Sequence, residues 1–203
     1  MRLSLHVFEP RYRQLVADLL GVDRPGAPIF GVVALRSGWE VGELKDVYSV
    51  GTTARITDVV PLPDGRCELA AVGERRFRIE SLDRTSQPYL QATARYLPEL
   101  DGAVPPGAVE SVRAAVIRHQ LMLATLTSQS APDLPTDART LSHAVAQLVS
   151  LPLGDRQALL ESPDAADRLL KAHAILRRES ALLRSLRAVP ASAATFRAGL
   201  GSS

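Results

Sequence analysis

Apolar and polar positions alternate with a period of two through the first half of the chain and recur at helical spacing through the second. Pro28–Leu35 and Tyr48–Val60 read as β-rich runs, with Gly51 placed in the second where a bulge or a close backbone approach belongs. Pro63-Asp64-Gly65 reads as a turn: proline fixes one φ, aspartate bonds its own backbone, and glycine accepts a positive φ. Beyond it Cys67, Leu69 and Ala71 alternate with polar neighbours, as a strand with one buried face requires. Phe77 and Ile79, and then Leu90, Ala92, Ala94 and Tyr96, repeat that signature. Short strands this closely spaced predict a small barrel or sandwich. One helix interrupts them, entered at Glu9-Pro10 and ending at Leu20 before Gly21, because proline at the first helical position forfeits no hydrogen bond.

After the Pro98–Gly107 linker the period becomes about 3.6. Val109, Val112, Val116, Leu123 and Leu126 fall on one stripe, interrupted by His119, and Leu141, Val145 and Leu148 form a second. Ser162-Pro163-Asp164 opens a third helix with a capping hydroxyl, a proline and an acid near the positive helix end. That helix extends through Arg187. The pattern therefore predicts an α+β protein, with a β subdomain over 1–97, a linker over 98–107, a helical bundle over 108–189 and a flexible tail over 190–203.

Composition narrows the class. With 46% hydrophobic and 23% charged residues in 203, the chain can bury a core in one large domain or two small ones, which excludes collagen-like and disordered classes. A lone Cys67 excludes an internal disulfide. There is no apolar run of the roughly 18 residues a membrane span needs and no secretory signal, so a cytoplasmic location is expected. The charge of +2 raises a nucleic-acid reading, but residues 1–100 carry 13 basic and 13 acidic groups. The densest cluster, Arg75, Arg76 and Arg78, is bracketed by Glu74 and Glu80 and reads as a mixed, solvated strand edge rather than the concentrated basic face that phosphates require.

Catalytic equipment is absent from the pattern. Neither Lys45 nor Lys171 follows a glycine, so there is no Walker loop, and no Gly-x-Ser-x-Gly elbow occurs. His6, His119, His143 and His173 have no ligand spacing with one another or with Cys67, which argues against zinc. Cys67 reads as a small core hydrophobe, and His119 and His173 as partly buried, hydrogen-bonded helix residues. No cofactor, metal or catalytic residue is assigned.

Four segments carry a family resemblance. Leu5-His6-Val7-Phe8-Glu9-Pro10-Arg11-Tyr12-Arg13 resembles the opening motif of the Lon amino-terminal, or substrate-binding, domain. Val50-Gly51-Thr52-Thr53-Ala54-Arg55-Ile56 resembles that family's "VGT-A-I" strand, and Leu62–Arg66 with Val72–Ile79 resembles its "LPDGR…GxxRxRI" hairpin. Leu151-Pro152-Leu153 and Gln157–Leu169 resemble its helical tail. The resemblance implies a PUA-like β-barrel followed by a helical bundle, without ATPase domain or Ser-Lys protease dyad. It further implies a non-enzymatic protein-quality-control role: recognition of unfolded or hydrophobic polypeptide, or service as an adaptor for a protease or chaperone. An RNA-binding PUA-like module is the alternative. The candidate binding or motif positions are Phe8, Glu9, Arg11, Tyr12 and Trp39, with Glu9, Arg11 and Tyr12 also expected to fix the strand-to-helix corner, and Phe8, Gly51, Gly65 and Gly73 to serve as packing and turn positions. The family usually opens with a strand and turn of the type LPLFPLGTVLFPG ahead of the segment matching Arg2–Phe8. Met1 is therefore expected to be an internal methionine, since losing a strand would leave an open sheet edge.

Overall fold

The computed structural model of the chain describes residues 2–21, 26–36, 47–124 and 133–188. The lysine at 45, Leu126 of the first helical stripe and the expected tail over 190–203 lie outside them. The order of elements is β1 (Arg2–Val7), α1 (Pro10–Leu20), β2 (Ile29–Val32), β3 (Val50–Pro61), β4 (Cys67–Asp83) and β5 (Gln91–Tyr96), then α2 (Ala108–Ala124), α3 (Ala138–Leu148), α4 (Leu153–Leu160) and α5 (Ala165–Ala188). They form two compact units. The first holds residues 1–100 with 151–164, and the second holds 101–150 with 165–203.

In the first unit all the strands join one antiparallel sheet, ordered β1-β4-β3-β2, with β5 added to β4. The 17-residue β4 makes this possible: residues 67–72 pair with β1, and residues 77–83 pair with β5. The β3–β4 hairpin turns where the sequence predicts, with Gly65 at φ 78° and its N–H donating to the Leu62 carbonyl. Arg66 N–H donates to the Asp64 carboxylate and, with the Arg66 guanidinium, holds that carboxyl below its ordinary value. Helix α1 starts with Pro10 and packs on the sheet: Val16 and Leu19 join Val7, Ala54, Ile56, Cys67, Leu69 and Ala71 in one buried cluster. The Tyr89 hydroxyl donates to Asp18 at 2.7 Å, tying the segment before β5 to the same helix.

A bulge changes the phase of β4. Ala54 faces Gly73 and Thr52 faces Arg76, so two residues of β4, Glu74 and Arg75, oppose the single Thr53. A strand gaining one residue turns its later side chains over. Cys67, Leu69 and Ala71 therefore point into the α1-covered core, whereas Phe77 and Ile79 project from the other face. One expectation changes here. Arg76 is not a solvated edge residue: it sits on a central strand, 4% exposed. Its Nε donates to Glu99 at 2.5 Å, Nη1 to the carbonyls of Leu160 (2.8 Å) and Ser162 (2.6 Å), and Nη2 to the Pro98 carbonyl at 3.1 Å.

Helix α4 also departs from expectation. The pattern runs a bundle from 108 to 189, but Leu151–Asp164 groups with the sheet. There Gln157 donates to the Val50 carbonyl at 3.0 Å, and the Arg76 bonds hold the end of α4. The Ser162 hydroxyl donates to Ala158 O of α4 at 3.3 Å. In the second unit Val112, Val116, Leu141, Val145, Leu169 and Leu176 form the seam of α2, α3 and α5, every one of them at most 1% exposed. Asp137 caps α3 by accepting from Thr140 N at 2.8 Å, which lowers its pKa. His119 is buried on α2, but its Nδ1 has no hydrogen-bond partner, contrary to the hydrogen-bonded histidine expected.

Candidate functional site

The motif residues of the β1–α1 corner are brought together. Glu9 is the N-cap of α1, two residues beyond β1, and its carbonyl accepts from Tyr12 N and Arg13 N to begin the helix. Its carboxylate holds Arg11 at 2.8 Å, and the Arg11 guanidinium lies 4.6 Å from the Tyr12 ring centroid. This is the corner-fixing arrangement expected of these three residues. Arg13, one residue on, lays its guanidinium where a Cβ on Gly65 would project, but that flexible side chain can swing aside, so it is the positive φ that calls for glycine in the hairpin turn. Phe8 differs from its packing assignment: it is 58% exposed and stacks on His6, whose Nδ1 lies 2.6 Å from Glu68 Oε1. Tyr12 is 40% exposed. Trp39 lies outside the described residues.

A second feature lies on the sheet face that the bulge creates. Phe77, Ile79 and Leu82 of β4, with Ala92, Ala94 and Tyr96 of β5 and Gly31 and Thr53 opposite, line a cavity of about 390 Å³. Its two long sides are β2 and β5, which no ladder joins among the described residues. The glycines give it depth. Ideal Cβ atoms at Gly31 and Gly51 would stand 3.0 and 2.8 Å from Phe77 Cζ, so the ring lies flush against both backbones. The close approach expected at Gly51 is thus real: its Cβ would also meet the Val32 carbonyl at 2.5 Å.

The β5 flank overturns a further expectation. The alternation of Ala92, Ala94 and Tyr96 reads as a buried face, yet every residue of β5 is exposed. These side chains line the groove without an element of the described residues packed on them. Small side chains keep it open, and Tyr96 closes one end. Over that ring, 3.8 Å from its centroid, stands the guanidinium of Arg75. The Thr53 hydroxyl braces the bulge at this point, donating to Arg75 O and accepting from Arg75 N, each at 3.2 Å. The sequence offered one signal for the groove, small residues at alternate positions of a strand, but alternation alone does not tell a covered face from an open one.

Chemically the groove joins mostly apolar side chains to a comparable share of polar surface, from the backbone and the Thr53 and Tyr96 hydroxyls, so it can take apolar groups and also bond an extended chain. A site of this volume falls in the range of about 300–1,000 Å³ usual for bound ligands. Among the described residues no group of three or more His, Cys, Asp or Glu could hold a metal ion.

Comparison with known proteins agrees with this architecture. The family model of the ATP-dependent protease La (LON) substrate-binding domain matches residues 1–178. Lon protease 2 of Sorangium cellulosum is 30% identical over 198 residues, 90% of this chain and 23% of that protein. Lon protease 1 of Herpetosiphon aurantiacus is 28% identical over 193 residues, 87% of this chain and 22% of that protein. The chain thus spans about a fifth of the length of the curated relatives it matches. Among solved structures, a Lon N-terminal domain protein from Xanthomonas campestris superposes with a TM-score of 0.62 at 27% identity, covering 86% of this chain and 89% of that one. The N-terminal domain of the Mycobacterium avium complex Lon protease has the same fold, with a TM-score of 0.55 at 16% identity and coverages of 89% and 90%. The α+β fold expected from the sequence is the one these domains share.

Proposed function

The chain belongs to the Lon substrate-binding domain family, and from that premise we propose that it is a non-catalytic polypeptide-binding module. Unfolded or hydrophobic segments lie in the groove between β2 and β5, and the bound segment is presented to a protease or chaperone. The match is to the substrate-binding domain and not to catalytic domains, so no ATP-dependent proteolysis is assigned to these residues. The observation that carries the reading is the groove itself: a cavity of about 390 Å³, lined mostly by apolar side chains, beside a strand exposed along its whole length. An extended segment entering there removes apolar surface from water on both partners. A cytoplasmic location belongs to the same proposal. Among the described residues no helix is long and apolar enough to cross a membrane. The RNA alternative lacks a concentrated basic face in the sheet unit: Arg55, Arg66, Arg76 and Arg95 are each matched to a carboxylate, Glu74, Asp64, Glu99 and Glu80, and Arg75 and Arg78, without an ion pair among the described residues, project from opposite faces.

The test is binding of reduced, carboxymethylated α-lactalbumin, an unfolded polypeptide, to the chain and to Ala94→Arg. A charge at this exposed strand position spoils the apolar groove without entering the core. The expected result is affinity weakened about tenfold or more with an unchanged urea midpoint. Equal binding by both proteins removes the groove from the function. Binding of unstructured RNA with a steep salt dependence, and none of the unfolded protein, replaces the reading outright.

A further inference from the structure

Arg75 and the cations around it are served unequally. Arg55 holds Glu74 at 2.5 Å, Arg76 holds Glu99 at 2.5 Å and Arg95 holds Glu80 at 3.3 Å, so the nearby carboxylates are engaged elsewhere. Among the described residues Arg75 forms no ion pair; its guanidinium contact is the Tyr96 ring, 45% exposed, at the end of the groove. A guanidinium stacked on a ring uses its face. Contact through the face leaves its in-plane N–H donors available in the fork that suits a carboxylate. The bulge that aims Arg75 is itself fastened by both Thr53 hydroxyl bonds, and bulges commonly re-aim a side chain beside a functional site.

Resting on the reading that the groove holds polypeptide, we propose that it selects apolar segments carrying an acidic side chain at one end: large apolar residues enter between Phe77, Ile79 and Ala94, and the carboxylate is taken by Arg75 on Tyr96. The argument is complementarity of charge. The groove is lined mostly by apolar side chains and, among the described residues, carries at one end a positive group with no ion pair, so an apolar segment with an acid at one end satisfies both. Arg78 also lacks an ion pair among the described residues, but it projects from the opposite face and reaches Ser49 Oγ at 3.5 Å, which makes it an internal control.

The experiment uses three dye-labelled peptides of identical apolar sequence in fluorescence anisotropy. One carries an internal aspartate beside the apolar run, one carries asparagine there, and one carries asparagine with a free terminal carboxylate directly after the run; the first two are amidated. The aspartate peptide is expected to bind about five- to tenfold tighter than the asparagine peptide, with the margin shrinking as salt rises. Arg75→Gln should erase the margin, Arg75→Lys should keep part of it, and Arg78→Gln should leave it intact, all with urea midpoints close to the parent. Equal binding of the first two peptides, or a margin that survives Arg75→Gln, overturns the acidic preference while leaving the groove as the polypeptide site. A preference for the terminal carboxylate over the internal aspartate overturns it in favour of chain ends. Failure of all three peptides to bind overturns both this inference and the reading beneath it.

Discussion

Arg76 in the sheet unit and His119 in the helical unit are equally withdrawn from water, each 4% exposed, and their surroundings treat them in opposite ways. Arg76 meets one carboxylate and three backbone carbonyls, drawn from the 98–99 and 160–162 segments. His119 sits among apolar helix residues with its Nδ1 unbonded. A buried charge persists only where the fold supplies partners, whereas an imidazole can surrender its proton and remain as a neutral, imperfectly satisfied group. At Arg76 burial of a charge fastens distant chain segments, whereas at His119 a helical seam tolerates a titratable group; the helical unit has a fastened charge of its own in Arg168, 1% exposed, which donates to Ser142 Oγ at 2.9 Å.

The sharpest way to break this contrast is Arg76→Ala. It removes the guanidinium from Glu99 and from the carbonyls of Pro98, Leu160 and Ser162 at once and leaves Gln157 to hold the α4 segment to the sheet. A loss of roughly 3 kcal/mol or more is expected, as for removal of one partner from a buried ion pair, read from urea denaturation. A loss below about 1 kcal/mol would mean that water replaces the guanidinium at little cost and that the fastening role is wrong.

Next in size is Gly51→Ala. The added methyl would stand 2.5 Å from the Val32 carbonyl, 2.6 Å from Val33 Cγ1 and 2.8 Å from Phe77 Cζ. Two of these neighbours are backbone and a buried ring, which cannot yield cheaply, so about 1–3 kcal/mol is expected. The groove should widen or close as Phe77 moves, so binding of the unfolded probe should change along with stability. An unstrained Gly51→Ala would remove the packing of Phe77 as the determinant of groove shape.

These two positions also mark what the sequence could disclose. Gly51 was legible because a glycine inside a β-branched run has few explanations, and the turn at Pro63–Gly65 and the entry at Pro10 were legible because their chemistry is local. Arg76 was not. Its partners lie 22 to 86 residues away, and nothing in a run of Glu-Arg-Arg-Phe-Arg distinguishes the arginine that will be enclosed from the one beside it that stays exposed. The bulge at Glu74–Arg75 decides which is which, and a bulge leaves no composition signal here. The groove was missed for the same reason: Phe77 and Ala71 look like one face until the extra residue turns them apart. Helix α4 was not singled out, because the pattern passes from the stripe ending at Leu148 to the helix opened at Ser162, whereas the bonds that assign it to the sheet come from Val50 and Arg76.

The smallest expected effect tests the other side of the contrast. Burial lowers the pKa of His119 from its ordinary value of 6.5, with Glu179 partly opposing the shift. A group whose pKa is depressed in the folded state contributes stability above its unfolded pKa and loses it as pH falls, because the unfolded chain takes up the proton first. Stability of the helical unit should therefore decline between about pH 7 and about pH 5. His119→Leu replaces an unbonded ring nitrogen by an apolar group, a change that is commonly near neutral or stabilising. It should flatten that decline while leaving stability near neutral pH the same or slightly higher. The comparison with Arg76 makes the outcome informative. If His119→Leu instead destabilises the protein at neutral pH as severely as Arg76→Ala does, the imidazole is fastening the helical seam through contacts that its geometry does not display, and the two units would be built alike. If the pH dependence survives the substitution unchanged, the acid sensitivity belongs to other groups, and His119 is a passive part of the α2 face. The expected pairing, a flattened slope with unimpaired stability at neutral pH, is the one result that keeps a satisfied charge in the sheet unit and an expendable one in the bundle as two distinct solutions to the burial of a polar side chain.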